Sequence, residues 1–89
     1  MLLLNNIGRV MKMAKTPRYE AVLGFNTKQW WAYDNETGEV CDPPTEVLEK
    51  IKAHSDDINE QGHYFNELLA EEPDWLNDED YRYDEDTEI

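Results

Sequence analysis

Eighty-nine residues make one domain at most, and a chain this short buries a modest core with little room for a deep catalytic cleft. It carries 21 acids against 8 bases, a net charge of −13. That charge disfavours direct contact with a phosphate backbone or an anionic membrane surface, since both must be met by positive side chains.

The charge is unevenly placed. Residues 1–33 hold five bases and one acid, whereas residues 34–89 hold three bases and 20 acids. Opposite fields raise encounter rates and select partners, so the acidic part points to a basic protein partner. The single cysteine, Cys41, rules out an internal disulfide. Three consecutive leucines near the N-terminus are too few for a signal-peptide core or a membrane span. The expectation is a cytoplasmic protein of a prokaryote or its virus.

Residues 1–15 read as an N-terminal segment. Leu2, Leu3, Leu4, Ile7, Val10 and Met11 fit one face of a short helix, and a frayed tail is the alternative. Met13-Ala14-Lys15 also resembles a natural start, which would leave residues 1–12 outside the natural product. Residues 16–76 form the expected domain. Within it, residues 18–25 read as a strand after Pro17, with Asn26-Thr27-Lys28 as a turn. Residues 29–34 make a second strand. Asn35-Glu36-Thr37-Gly38 turns back, with Gly38 suited to a left-handed position, and residues 39–41 add a brief third strand.

Adjacent Trp30 and Trp31 point to opposite faces of such a sheet. If one helix covers one face, one tryptophan faces away. It is then covered by residues 1–15 or the C-terminal tail, or it is an aromatic anchor for a partner. The pattern does not fix which one, because both faces carry apolar residues.

Asp42-Pro43-Pro44 reads as a helix start with Asp42 as N-cap. Val47, Ile51, Ile58, Phe65 and Leu69 share one helical direction, and Glu49, Asp56, Glu60 and Glu67 share the opposite one. Both stripes keep phase across Ser55-Asp56-Asp57 and Gln61-Gly62. This predicts one helix of roughly 28–30 residues, about 45 Å long, ending near Glu72 before Pro73. The alternative is a break near Gly62, because glycine inside a helix costs about 1 kcal/mol relative to alanine. Ser55 and Gly62, beside the apolar stripe, would let the helix approach the sheet closely. Residues 77–89 read as a flexible acidic tail.

No motif links Ser55, His54 or His63 into a nucleophile and base, so no enzyme is expected. Cys41, His54 and His63 lack the close pairs of a zinc site. Asp78, Asp80, Asp84 and Asp86 lack the glycine and final glutamate of a calcium loop. No cofactor or metal is therefore predicted.

The predicted fold is α+β: a small antiparallel β-meander of about three strands, packed by one long amphipathic helix. The predicted partner-binding residues are Glu49, Asp56, Glu60, Glu67 and Glu71 along the helix, Asp78 and Asp80 in the tail, and Trp30 and Trp31. Beyond Lys52 no lysine is interspersed among the helix acids, although like charges at i,i+4 destabilise a helix by a few tenths of a kcal/mol. The leading expectation is a nucleic-acid mimic that occupies the DNA- or RNA-binding groove of a basic host enzyme and inhibits it. Such a role suits bacteriophage takeover of a host. The alternatives are an antitoxin or adaptor that binds through an exposed tryptophan and the tail, and a small protein that self-associates through its apolar N-terminus.

Overall fold

A computed structural model describes residues 17–89. The expectations for residues 1–15 lie outside the described residues. Four antiparallel strands form one sheet in the order β1-β2-β3-β4: β1 Tyr19–Leu23, β2 Trp30–Asp34, β3 Val40–Cys41 and β4 Arg82–Tyr83. Two helices, α1 Thr45–His54 and α2 Ile58–Ala70, pack on one face. Tight 3-10 turns at Asp74–Asn77 and Glu79–Tyr81 lead into β4.

The meander follows the predicted turns. Gly38 takes a φ of 82°, a left-handed position that suits glycine. The register pairs Ala21 with Ala32 and Ala32 with Cys41, so these small side chains share a face with Tyr19, Trp30 and Asp34. Small residues there let the helices approach. Phe65, Ile51, Leu69 and Leu76 fill the space above them and are fully buried.

The single long helix is corrected to two, and the break falls at Ser55, not at Gly62. Ser55 is extended, its Oγ accepts from the Asp57 amide, and Asp57 caps α2 by accepting from the Asn59 amide at 2.8 Å. Asp57 with Glu60 three residues on has the spacing of a helix-start box. That local signal outweighs the continuity of phase. Ile58, placed in the apolar stripe by phase, is 50% exposed. Ser55 thus lies in the break and not inside a helix. Gly62 makes the expected close approach to the sheet: a Cβ there would lie 3.0 Å from the Trp30 ring.

The N-cap of α1 is Pro44, not Asp42, and no side chain caps it. Asp42 instead accepts from Gln29 Nε2 at 2.7 Å, and its amide donates to the Tyr81 carbonyl. The helices lie antiparallel. His54 stacks on Tyr64 at 4.2 Å, and Val47 and Lys50 line one cavity with Leu68 and Glu71.

The expected free tail is also corrected. It supplies β4, pairing Val40 with Tyr83 and Cys41 with Arg82. Beyond β4 the chain passes the Gly38 turn at Glu85 and returns to the β1–β2 turn. There the main-chain oxygen of Ile89 accepts from the amides of Asn26 and Thr27. With the helices on one face, this return crosses the other. Trp31 on that face is only 7% exposed, with Tyr83 edge-on to its ring at 5.8 Å. Trp30 faces the helices, edge-on to Phe65, and donates to Gln61 Oε1. The outward tryptophan is thus Trp31, and it is covered.

Candidate functional site

The surface chemistry is set by one ion cluster at the end of β2. Asp34 lies on the helix-facing side and is 0% exposed. Arg18, just before β1, reaches both its oxygens, through Nε at 3.2 Å and Nη2 at 3.1 Å. Arg82 of β4 donates through Nη2 to Asp34, through Nε to Glu39 at 2.7 Å and through Nη1 to the Leu76 carbonyl at 2.8 Å. The Glu36 amide adds a fourth donor to Asp34. Burial alone pushes the Asp34 carboxyl up. The bonds from Arg18, Arg82 and the Glu36 amide outweigh that and hold it well below the usual carboxylate range. Burial pulls the Arg82 guanidinium down, but its bonds to Tyr19, Glu39 and Asp34 raise it above the ordinary arginine value.

This cluster consumes the arginines. Among the described residues, every close ion pair involves Arg18 or Arg82. The other described bases are Lys28, Lys50 and Lys52. All five helix-region acids singled out by sequence are exposed, but they do not form one straight row. Glu49 is on α1, Asp56 is in the linker, Glu60 and Glu67 stand two turns apart on α2, and Glu71 is the C-cap of α2. Asp78 and Asp80 are exposed in the 3-10 segment, where Asp78 accepts from the Asp80 amide.

No protein family matches the chain, and neither a curated protein nor a solved structure does.

The two ends of α2 differ. Asp57 and Glu60 at its start meet the positive end of the helix dipole, as helix physics favours. At its other end Glu67 lies in the last turn, which has no base, and Glu71 and Glu72 follow. Glu72 has a left-handed φ of 47°, a position that favours glycine. Helix α1 keeps the ordinary order, with Glu46 in the first turn and Lys52 and His54 in the last.

Two depressions flank the helices. One of about 390 Å³ has apolar walls from Leu23, Trp30, Leu48 and Ile58, with Lys28 and Lys52 beside them. Phe25 projects near it, 81% exposed, with Lys28 Nζ 4.8 Å from its ring centre. The other, of about 440 Å³, lies between the start of α1 and the 3-10 turns. Cys41 is buried in the core, where burial pushes its thiol up. His54 is exposed and stacked on Tyr64. Among the described residues, no three of His, Cys, Asp and Glu converge as metal ligands, and no helix is long and apolar enough to cross a membrane.

Sequence reading missed the role of Arg82. The signal available was a lone base among eight acids in residues 73–89. It set the helix end near Glu72, before Pro73, but missed the left-handed backbone there.

Proposed function

We propose that this is a non-enzymatic binding protein that presents carboxylates to a basic partner, as a mimic of nucleic acid that occupies the partner's DNA- or RNA-binding groove. The observation that carries this reading is the end of α2. Glu67, Glu71 and Glu72 sit where the helix dipole asks for bases and the chain geometry asks for glycine. Acids kept against local stability point to selection for something other than folding. The ion cluster adds to this by drawing both arginines of residues 17–89 away from the acidic surface.

The mimic is therefore centred on α2 and the segment after it, with Glu60, Glu67, Glu71, Asp78 and Asp80 as its anions. Asp56 and Glu49 lie off that line. The test is capture of partners from bacterial lysate by the tagged protein, with and without competitor DNA and at high salt. A basic nucleic-acid enzyme released by DNA and by salt supports the reading. A partner that persists through both overturns it.

The antitoxin or adaptor alternative shifts from tryptophan to a different anchor. Trp31 is covered and Trp30 is committed to α2. Among the described residues, Leu23, Phe25 and Ile58 are exposed apolar side chains; Leu23 and Ile58 line the groove with Lys28 and Lys52, and Phe25 meets it through Lys28. On this reading Phe25→Ser abolishes capture, and Glu67→Lys leaves it unchanged.

A further inference from the structure

The cavity of about 440 Å³ between the start of α1 and the 3-10 turns has a composition of its own. It is lined by the aromatic residues Trp75 and Tyr81, by Pro43 and Leu48, and by the acids Asp42 and Asp78. Among the described residues, no basic side chain lines it. Two acids and two aromatic residues thus share one space without a described cation.

We infer that this cavity is a seat for a guanidinium group, the arginine side chain of a partner protein. Aromatic faces attract cations, and a planar guanidinium stacks on them while its N–H fork reaches carboxylates. A hard metal ion is a poorer occupant, because it takes six or more oxygen ligands and gains little from aromatic faces. The walls are held in place. Trp75 stacks on buried Phe65 with 10° between the ring planes. Asp42 is fixed on both sides, by Gln29 at its carboxylate and by the Tyr81 carbonyl at its amide. Asp78 is half of a local cap through the Asp80 amide. A pre-formed seat of this kind lowers the ordering cost of binding.

As to its natural occupant, the seat rests on the basic-partner reading above. It adds what that reading lacks, a directional contact beside a diffuse field. A field of anions attracts any polycation, whereas a shaped seat selects one arginine.

The test uses the full-length protein, isotope-labelled for NMR, titrated with N-acetyl-arginine amide. N-acetyl-citrulline amide, of the same shape but uncharged, is the control. Saturable shifts are expected at the Trp75 indole N–H and at Asp42, Asp78 and Tyr81, with none from citrulline. Asp42→Asn and Asp78→Asn, made singly and together, keep the backbone contacts, and the double variant is expected to weaken seating by about tenfold. Shifts spread evenly over the α2 acids and the tail, or unchanged in the double variant, overturn the seat. The two proposals fail separately. Lysate capture that is sensitive to DNA but unchanged in the double variant overturns the seat and leaves the mimic. Specific arginine seating in a protein that captures no nucleic-acid enzyme supports the seat and overturns the mimic.

Discussion

Asp34 and Arg82 meet across 48 residues of sequence, and their contact fastens the acidic C-terminal stretch to the sheet. Arg82 also binds Glu39 and the Leu76 carbonyl, so one side chain joins β2, the approach to β3, the first 3-10 turn and β4. Breaking a buried ion pair by removing one partner costs about 3–5 kcal/mol, and because Arg18 stays on Asp34 we expect Arg82→Met to cost about 2–3 kcal/mol. Tail detachment should then expose Trp31, red-shifting its fluorescence and opening residues 84–89 to protease. Arg18, more exposed than Arg82, should matter less when replaced by methionine. Equal denaturant midpoints for the two variants would show that Arg82 is not the fastening residue.

The same cluster sets a pH dependence. Asp34 has its folded-state pKa depressed, so its stabilisation is present above the unfolded carboxylate value and is lost as pH falls through the folded one. The measurement is the stability difference between the natural chain and Asp34→Asn. It should be constant from neutrality down to about pH 5, then shrink below about pH 4. Comparing two proteins that share the other acids cancels most of their mutual repulsion. A difference that does not change with pH would mean that Asp34 is not held as a paired anion.

Much of the sheet is legible in sequence because its signals are local. Pro17, Asn26-Thr27-Lys28 and Asn35 to Gly38 bracket the first two strands, which form within a residue or two of the expected bounds. The helix break was misread because Ile51 and Ile58 lie seven residues apart, two near-whole turns, so a short linker can preserve phase by coincidence. The cap at Asp57 is a local signal that periodicity alone does not register. The docked tail was invisible to composition. The seven acids of residues 77–89 read as a flexible tail, whereas Arg82 and Tyr83 anchor it through partners up to 63 residues away. The acids themselves were legible, but their division between α1, the linker and α2 was not, since it depended on the break.

Gly62 is where α2 meets Trp30. Alanine there gains helix propensity of up to about 1 kcal/mol relative to glycine. Its Cβ would stand 3.0 Å from a ring already held by Phe65 and Gln61, so the two effects nearly cancel. Valine has no such balance and should overpack the contact, at a cost of about 1–3 kcal/mol. Urea midpoints for the two variants check this. Equal stability for valine and alanine would mean that the ring yields freely and that Gly62 does not set the helix–sheet distance.

The end of α2 gives a trade-off that separates folding from function. Glu67→Lys places a cation in a last turn that has no base and turns the repulsive Glu67–Glu71 spacing into an attractive one. The expected gain is about 0.5–1 kcal/mol, from the dipole and the pair together. Glu72→Gly relieves a left-handed backbone at a non-glycine residue and should add about 1 kcal/mol. For a domain of this size each kcal/mol raises the melting midpoint by about 4–8 °C. Both variants should therefore melt higher than the natural chain, and Glu67→Lys should at the same time weaken partner capture. Higher stability with weaker capture is the signature of a surface shaped against its own fold. If neither variant gains stability, these acids are not kept at a folding cost, and the argument for a selected acidic surface loses its basis.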